Sequence, residues 1–481
     1  MTENPAPHVV VVGAGIAGLS AALSAREAGA SVTVLERATQ AESGGNTRFT
    51  EAYLRMKSID EVADDFADAI FGDFMGYPDP SLLAEIHRDY ENWPSNLKSL
   101  PLADPLVVAA FAEQAGPTLR WLTGFGVTFS KIVTQFLTTS TSRMGPDGGG
   151  LALIETLGAA AHKAGVVFEY ETTAVSLVTD DRGSVTGVRA RGSCRNTKTY
   201  SGSVLLACGG FEGNYEMLAR YLGESGLHVR PVARGGYYNK GEGIQMALDI
   251  GAAPCGNFGM FHAEPVDPRS GAPEPSIMIF PYGILVNKEG RRFTDEAPGP
   301  VDATYEQITR TLHHQTDGIG YVILDAKLAD VPNAKTAIRT DQKPLRADTV
   351  EELAGLIGVR ADDLVSTVSD YNAACVDGAF DPGKADGLAT RGVRPVKSNW
   401  ARPIDSPPFE AYPIISSNVF TYGGLRVDTS ARVVDHDGRP IEGLYAAGET
   451  VGMYFTHYAG STSVLKGAVF GRIAGHVAAG K

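Results

Sequence analysis

Gly13, Gly15 and Gly18 form a GxGxxG spacing between an apolar run and a segment of helical pattern. The first glycine permits a tight turn, the second lets backbone approach a pyrophosphate, and the third lets helix pack on sheet. The start of the following helix then faces the phosphates. Glu36, at the end of a second apolar run, is placed to hold the hydroxyls of a ribose, so these four residues point to a dinucleotide. The stretch SGGNTRFT, Ser43 to Thr50, follows and reads as neither helix nor strand. Gly44, Gly45, Asn46 and Thr47 put two glycines, an amide and a hydroxyl there. Titratable groups capable of moving a proton occur far downstream, among them His262, Tyr305, His457 and Tyr458. Arg143, ahead of a triple-glycine turn in SRMGPDGGG, has the fork that binds a carboxylate; pairing with an acidic surface residue is its alternative.

The elements that must position these groups are legible in part. Val9 to Val12 are a continuous β-branched run, as expected of a strand buried on both faces. A helix over Ile16 to Glu27, stopped at Gly29, and the strand SVTVLE complete a βαβ unit. From Glu51 to Pro146 the pattern is mostly helical, with PTLRWLTGFGVTF as one helix and its exit. A sheet-forming block runs from Leu151 to Phe211, and residues 256–414 change to proline- and glycine-dense sequence in which helices alternate with short strands. The chain then returns to β-rich sequence and closes on the helix LKGAVFGRIAGHVAAG. The fold class expected is α/β: a Rossmann-like dinucleotide domain from residues 1–255 and 415–481, with an inserted α+β capping domain at 256–414.

Composition narrows the field. The 481 residues are 43 % hydrophobic and 20 % charged, as in ordinary globular proteins. A net charge of −14 argues against a nucleic-acid surface or one made for anionic lipid. Cys194, Cys208, Cys255 and Cys375 are widely spaced without a CxxC pair, which excludes the usual zinc and iron–sulfur frameworks and fits a reducing compartment. The apolar run His8 to Leu23 lacks a basic lead and is punctuated by glycines, so neither a signal peptide nor a transmembrane segment is expected, and a cytoplasmic location is.

The stretch GLYAAGE, Gly443 to Glu449, resembles the late element with which many two-domain flavoproteins close an FAD site. No second GxGxxG follows, so no built-in nicotinamide site is indicated. Together with GAGIAGLSAALSAREAGASVTVLE, GGNT, ACGGFEGN, GEGIQMALDIGA, GILVNKEGRRFTDE, GGLRVD and GAVFGRIAG, it makes the chain similar to the flavoproteins of fumarate reductase and succinate dehydrogenase. That family includes tricarballylate and 3-ketosteroid dehydrogenases. The resemblance implies FAD with Gly44 to Thr47 beside its ring, and noncovalent binding, since residues 37–50 contain no histidine. Implied contacts are Gly13, Gly15, Ala17, Gly18, Glu36, Arg37, Gly44, Gly45, Asn46, Thr47, Ala174, Gly448, Glu449, Ser463 and Val464.

The catalytic set of fumarate reductases is mostly replaced. By the resemblance, Pro300 falls at the catalytic arginine, Ser276 and Ile279 at a Glu/Arg proton relay, Phe420 at a substrate-binding histidine and Tyr458 at a carboxylate-binding arginine, while His262 is kept. In the ketosteroid branch a tyrosine near Tyr458, with N–H groups around Ser461 and Thr462, binds the ketone oxygen, a role that would stabilise enolate charge. His457 would assist or be a loop histidine, and Tyr305 is the candidate general base. Arg291, Arg292 and Glu296 read as architectural. The expected reaction is α,β-dehydrogenation of a carboxylate or ketone, with hydride passing to flavin N5. Electrons would leave to an external acceptor: a quinone, oxygen or an electron-transfer protein. The rival readings are an enoate reductase and a flavin electron-transfer protein without a substrate of its own.

Overall fold

The computed structural model describes residues 6–71, 81, 85, 89–132, 143–194 and 196–480. Much of the region expected to be helical before Pro146, and Ser142 at the head of SRMGPDGGG, lies outside these residues.

The first sheet has the strand order Arg432–Val434, Pro440–Ala446, Ser203–Leu206, His8–Val12, Ser31–Leu35, Val167–Glu169. All neighbours are parallel except the edge strand Arg432–Val434. Val9 to Val11 are completely buried, as a central parallel strand covered on both faces demands. Val12 pairs with both Leu35 and Leu206, so three strands end at one level and Gly13 leaves at their carboxyl edge. Ligands of open α/β sheets bind at that edge.

The helix Ile16–Glu27 lies under the closing helix Ser463–Ala478. Gly467, Gly471 and Gly475 recur every four residues, and a Cβ on the latter two would overlap the backbone carbonyls of Ala17 and Ala21. This row of small residues brings the C-terminal helix against the dinucleotide-type helix and so carries Ser463 and Val464 to the same end of the sheet. The helix containing PTLRW begins earlier than that motif, at Pro105, with Asp104 capping the N–H groups of Leu106 and Val107; Pro117 is inside it.

A second sheet is built around the long strand Phe409–Thr421. Arg230–Pro231 joins it in parallel, whereas Phe261–Val266, Ile319–Leu324 and Leu345–Ala347 join it antiparallel, and Ile284–Asn287 extends the sheet from Ile319–Leu324. Residue 414 therefore lies inside a strand, and this sheet also draws on chain before residue 255. One continuous strand runs from the cap core to Phe420 at the site. A three-stranded antiparallel sheet, Thr173–Thr179, Val185–Arg191 and Thr197–Ser201, flanks the first sheet.

In the cap, Arg292 and Glu296 form an ion pair with side chains 3 % and 0 % exposed. Glu296 Oε1 also accepts from the Leu285 N–H, and Arg292 Nη1 donates to the Pro395 carbonyl at 2.7 Å. These bonds are architectural. Arg292→Leu is expected to cost about 3–5 kcal/mol, because it leaves a buried carboxylate without its cation. Urea unfolding monitored by circular dichroism measures it, and a loss under about 1 kcal/mol would contradict the architectural role of this pair.

Candidate active site

A deep pocket at the carboxyl edge of the first sheet is lined by Gly13, Gly15, Ala17, Glu36, Arg37, Gly45, Asn46, Thr47, Ala174, Gly448, Glu449, Ser463 and Val464. Gly18 and Gly44 stand behind this wall. A Cβ on Gly18 would overlap the Gly13 carbonyl, and Gly44, at φ +114°, has Ile154 within 3 Å of where its Cβ would be. Gly15 caps the first helix without any side-chain cap bond, and the first turn carries no acidic residue. That end is open to an anionic pyrophosphate.

Glu36 accepts the N–H groups of Ala14 and Ala38 at 2.9 and 2.8 Å. Burial raises its pKa while those two bonds pull it back. The Thr47 hydroxyl accepts from the Ile16 N–H at 3.2 Å and so fixes the SGGNT turn to the helix start. Asn46 donates to Glu212 Oε1 at 2.6 Å and to the Val419 carbonyl at 2.9 Å, tying the same turn to the cap strand. Arg37 reaches the pocket wall but spends its guanidinium on Glu242 and the Tyr238 carbonyl. The glycine cradle, the open helix start and the long groove fit FAD. Sequence reasoning missed Asn239, Glu242, Glu274 and Lys466 among the lining residues, and Phe420, expected at a substrate-binding position, also lines the pocket. GEGIQMALDIGA was the signal for Glu242.

Phe420 connects this pocket to a second cluster. Its ring is 5.3 Å from His262 and 4.9 Å from Tyr458, and His262 is 4.6 Å from Tyr458. His262, 4 % exposed, stands on the strand Phe261–Val266, which pairs with the strand of Phe420. Pro300 caps the helix Val301–Arg310, and that helix carries Tyr305, whose hydroxyl is 3.3 Å from His262 Nε2. Glu264 is 3.7 Å from the same nitrogen. Burial, then the acidic groups Glu264 and Glu306, raises the Tyr305 pKa well above the usual phenol value. Ser276 and Ile279 are buried outside this set of contacts.

Tyr458 sits where the closing helix begins. Its oxygen accepts the N–H groups of Thr462 and Ser463 at 2.9 and 3.0 Å, and its hydroxyl donates to Ser463 Oγ at 3.1 Å. Its backbone N–H donates to Glu306 Oε2 at 3.2 Å, and Glu306 also holds Arg310 and the Tyr422 hydroxyl. Glu306 escaped sequence reasoning; its one signal was the i,i+4 spacing to Arg310.

Arg143 Nε donates to Ser461 Oγ at 2.9 Å. Arg55 lies on the same loop, bound to Asp65 and to the Gly460 carbonyl. Burial, then Arg55, lowers the Arg143 pKa. His457 is placed differently from the rest: Nε2 is 3.2 Å from the Ala69 carbonyl, so its ring ties the loop to the helix Phe66–Phe71. Among the described residues, no cluster of three or more metal-ligating side chains is present, and no helix is long and apolar enough to cross a membrane.

The sequence matches the FAD binding domain family over residues 8–465. A urocanate reductase of Eggerthella lenta is 30 % identical, over 98 % of this chain and 74 % of that protein. The open conformation of a flavocytochrome c3 fumarate reductase superposes with a TM-score of 0.75 at 26 % identity, covering 98 % of this chain and 78 % of the other. A 3-ketosteroid-Δ4-(5α)-dehydrogenase from Rhodococcus jostii RHA1 gives a TM-score of 0.67 at 26 % identity, covering 100 % and 98 %. With its glycine cradle and its tyrosine–histidine cluster, the chain belongs to the FAD binding domain family and is an FAD-dependent oxidoreductase of the CH–CH group.

Proposed function

We propose that the chain moves hydrogen across the Cα–Cβ bond of a small carboxylate or ketone, with Tyr305 and His262 carrying the proton. FAD, when bound, supplies the hydride exchange at its ring. The observation that carries this reading is the Tyr305 hydroxyl 3.3 Å from His262 Nε2, in a cluster that reaches the cofactor pocket through Phe420.

The resting protonation of Tyr305 favours one direction. A phenol whose pKa is raised is a proton donor at neutral pH. It would deliver its proton to the α-carbon of a conjugated double bond, and His262 would steady the phenolate left behind. We favour reduction of an enoate or enone; the urocanate and fumarate reductase relatives support it. Dehydrogenation is the same path reversed: Tyr305 passes its proton to His262 Nε2 and takes one from the α-carbon. The ketosteroid dehydrogenase likeness and the Tyr458 contacts support this second reading.

Tyr458 suits a carbonyl oxygen in either direction. Its hydroxyl can turn from Ser463 Oγ to the substrate while keeping the two N–H bonds, which polarise it and make it the stronger donor. Arg143, beside the second cation of Arg55, would hold a carboxylate. His457 stays a loop tie in this scheme. Tyr458→Phe is expected to lower turnover by about 10²- to 10³-fold, the loss typical of one oxyanion donor. The test uses purified holoprotein with a viologen as electron donor or acceptor and a panel of unsaturated and saturated acids and ketones. Turnover of one class identifies substrate and direction. Turnover of neither, with flavin bound, would defeat the proposal.

A further inference from the structure

Glu449, in the wall of the cofactor pocket, faces a second carboxyl group behind that wall, Glu212. Glu212 is 0 % exposed. Its Oε1 accepts from the side-chain amides of Asn46 and Asn239, each at 2.6 Å. Its Oε2 has no donor of its own, and the Glu449 carboxyl is the group against it. Two carboxylates in contact and out of water cannot both be ionised; one proton between them removes the conflict.

The surroundings show which group holds that proton. Glu449 Oε1 accepts the Thr421 N–H at 2.7 Å and the Thr421 hydroxyl at 3.1 Å. Lys466, 2 % exposed, comes from the closing helix and favours the ionised form of Glu449. Glu212 has only neutral amides and the Glu449 carboxyl around it. Glu212 is therefore the acid, donating from Oε2, and Glu449 is the anion. The pKa of each is raised, chiefly by burial.

Four members of this network, Glu449, Asn46, Asn239 and Lys466, also line the cofactor pocket. We propose that Glu212 and Glu449 share one proton at rest and that Glu449 takes up a second when the bound cofactor gains negative charge on reduction. Reduction brings two electrons from the reductant; beyond the proton that the reduced cofactor itself takes, one further proton comes from solvent and forms one O–H bond on Glu449. Negative charge added beside a carboxylate raises its affinity for a proton, and Lys466 alone offsets the original Glu449 charge. The proposal rests on the FAD site and is independent of substrate and direction.

The test is a dithionite titration of the flavin-loaded protein, so it needs no substrate. Reduced-minus-oxidised infrared spectra of the wild type are expected to show a carboxylic acid carbonyl band gained on reduction, absent in Glu449→Gln. The midpoint potential of the wild type should fall more steeply with pH than that of Glu449→Gln, by about 30 mV per pH unit for one extra proton per two electrons. Glu212→Gln, which keeps Glu449, should retain the steeper slope. Loss of flavin from either variant would leave the wild-type infrared spectrum as the deciding result. No carboxylic acid band gained on reduction of the wild type, or equal slopes in flavin-loaded wild type and Glu449→Gln, would overturn the proposal.

Discussion

Replacing Tyr305 with phenylalanine is expected to slow turnover by about 10²- to 10⁴-fold, the range for loss of a positioned acid or base, with bound flavin retained. The change removes one oxygen. The ring keeps its edge-on contact with His262, 5.8 Å between centroids, and its place in the cap core beside Val301 and Ile308. What is lost is the group that meets His262 Nε2. The sign of the pH dependence follows from the environment. Because the Tyr305 pKa lies above its usual value of 10.0, the donor form persists through neutral and mildly alkaline pH. In the reductive direction, the wild-type rate should show no loss from this group below about pH 10. Steady-state rates with visible absorbance as the check on cofactor content decide the matter. A phenylalanine variant keeping more than about a tenth of wild-type turnover would remove Tyr305 from the proton path.

Gly13→Ala is expected to yield protein without flavin. Gly13 has φ +104°, and an added Cβ would overlap the Ala207 carbonyl and come within 3.0 Å of Cys208 Cα. Neither neighbour is a flexible side-chain end. Ala207 follows a central strand, and its N–H is bonded to Val12. The turn must therefore move, and with it Ala14, Gly15 and the open start of the helix. Gly29→Ala is the matched control: its φ is +91°, but its Cβ would have nothing within 4 Å. That variant is expected to lose about 1–2 kcal/mol to backbone strain and to keep its flavin. The ratio of visible to ultraviolet absorbance after purification separates the two, with thermal unfolding as the measure of folding. Stoichiometric flavin in Gly13→Ala would contradict the cradle.

The cofactor side was readable because it is local. Gly13 to Glu36 is one continuous βαβ unit, and the strands His8–Val12 and Ser31–Leu35 and the helix Ile16–Glu27 match the pattern of the residues closely. The SGGNT turn forms a short 3-10 helix from Gly45 to Phe49 after a left-handed Gly44, a conformation that the two glycines permit. The proposed proton site was harder to read. His262 and Tyr305 are 43 residues apart and meet only because a cap helix lies across a cap strand. Nothing in the local sequence of Glu264 distinguishes it from a surface acid; Glu306 and Glu212 also draw partners from other elements, Tyr422 and Tyr458 for the first and Asn46 and Asn239 for the second. Arg37 and His457 show the converse, chemically suggestive residues whose polar atoms are engaged by Glu242 and the Ala69 carbonyl. Phe409–Thr421 is a single strand on both sides of residue 414, and its nearly continuous burial gives no local mark at that position.

The central claim is that this pocket binds a flavin able to exchange a hydride with a conjugated acid or ketone. The most direct measurement is anaerobic stopped-flow mixing of the dithionite-reduced holoprotein, freed of excess reductant, with a series of α,β-unsaturated carboxylates and ketones. The account predicts that at least one class restores the oxidised flavin spectrum in a single turnover, and that Tyr305→Phe slows this step with flavin still bound. A reduced flavin that survives every unsaturated compound, together with an oxidised flavin that no saturated partner bleaches, would contradict it.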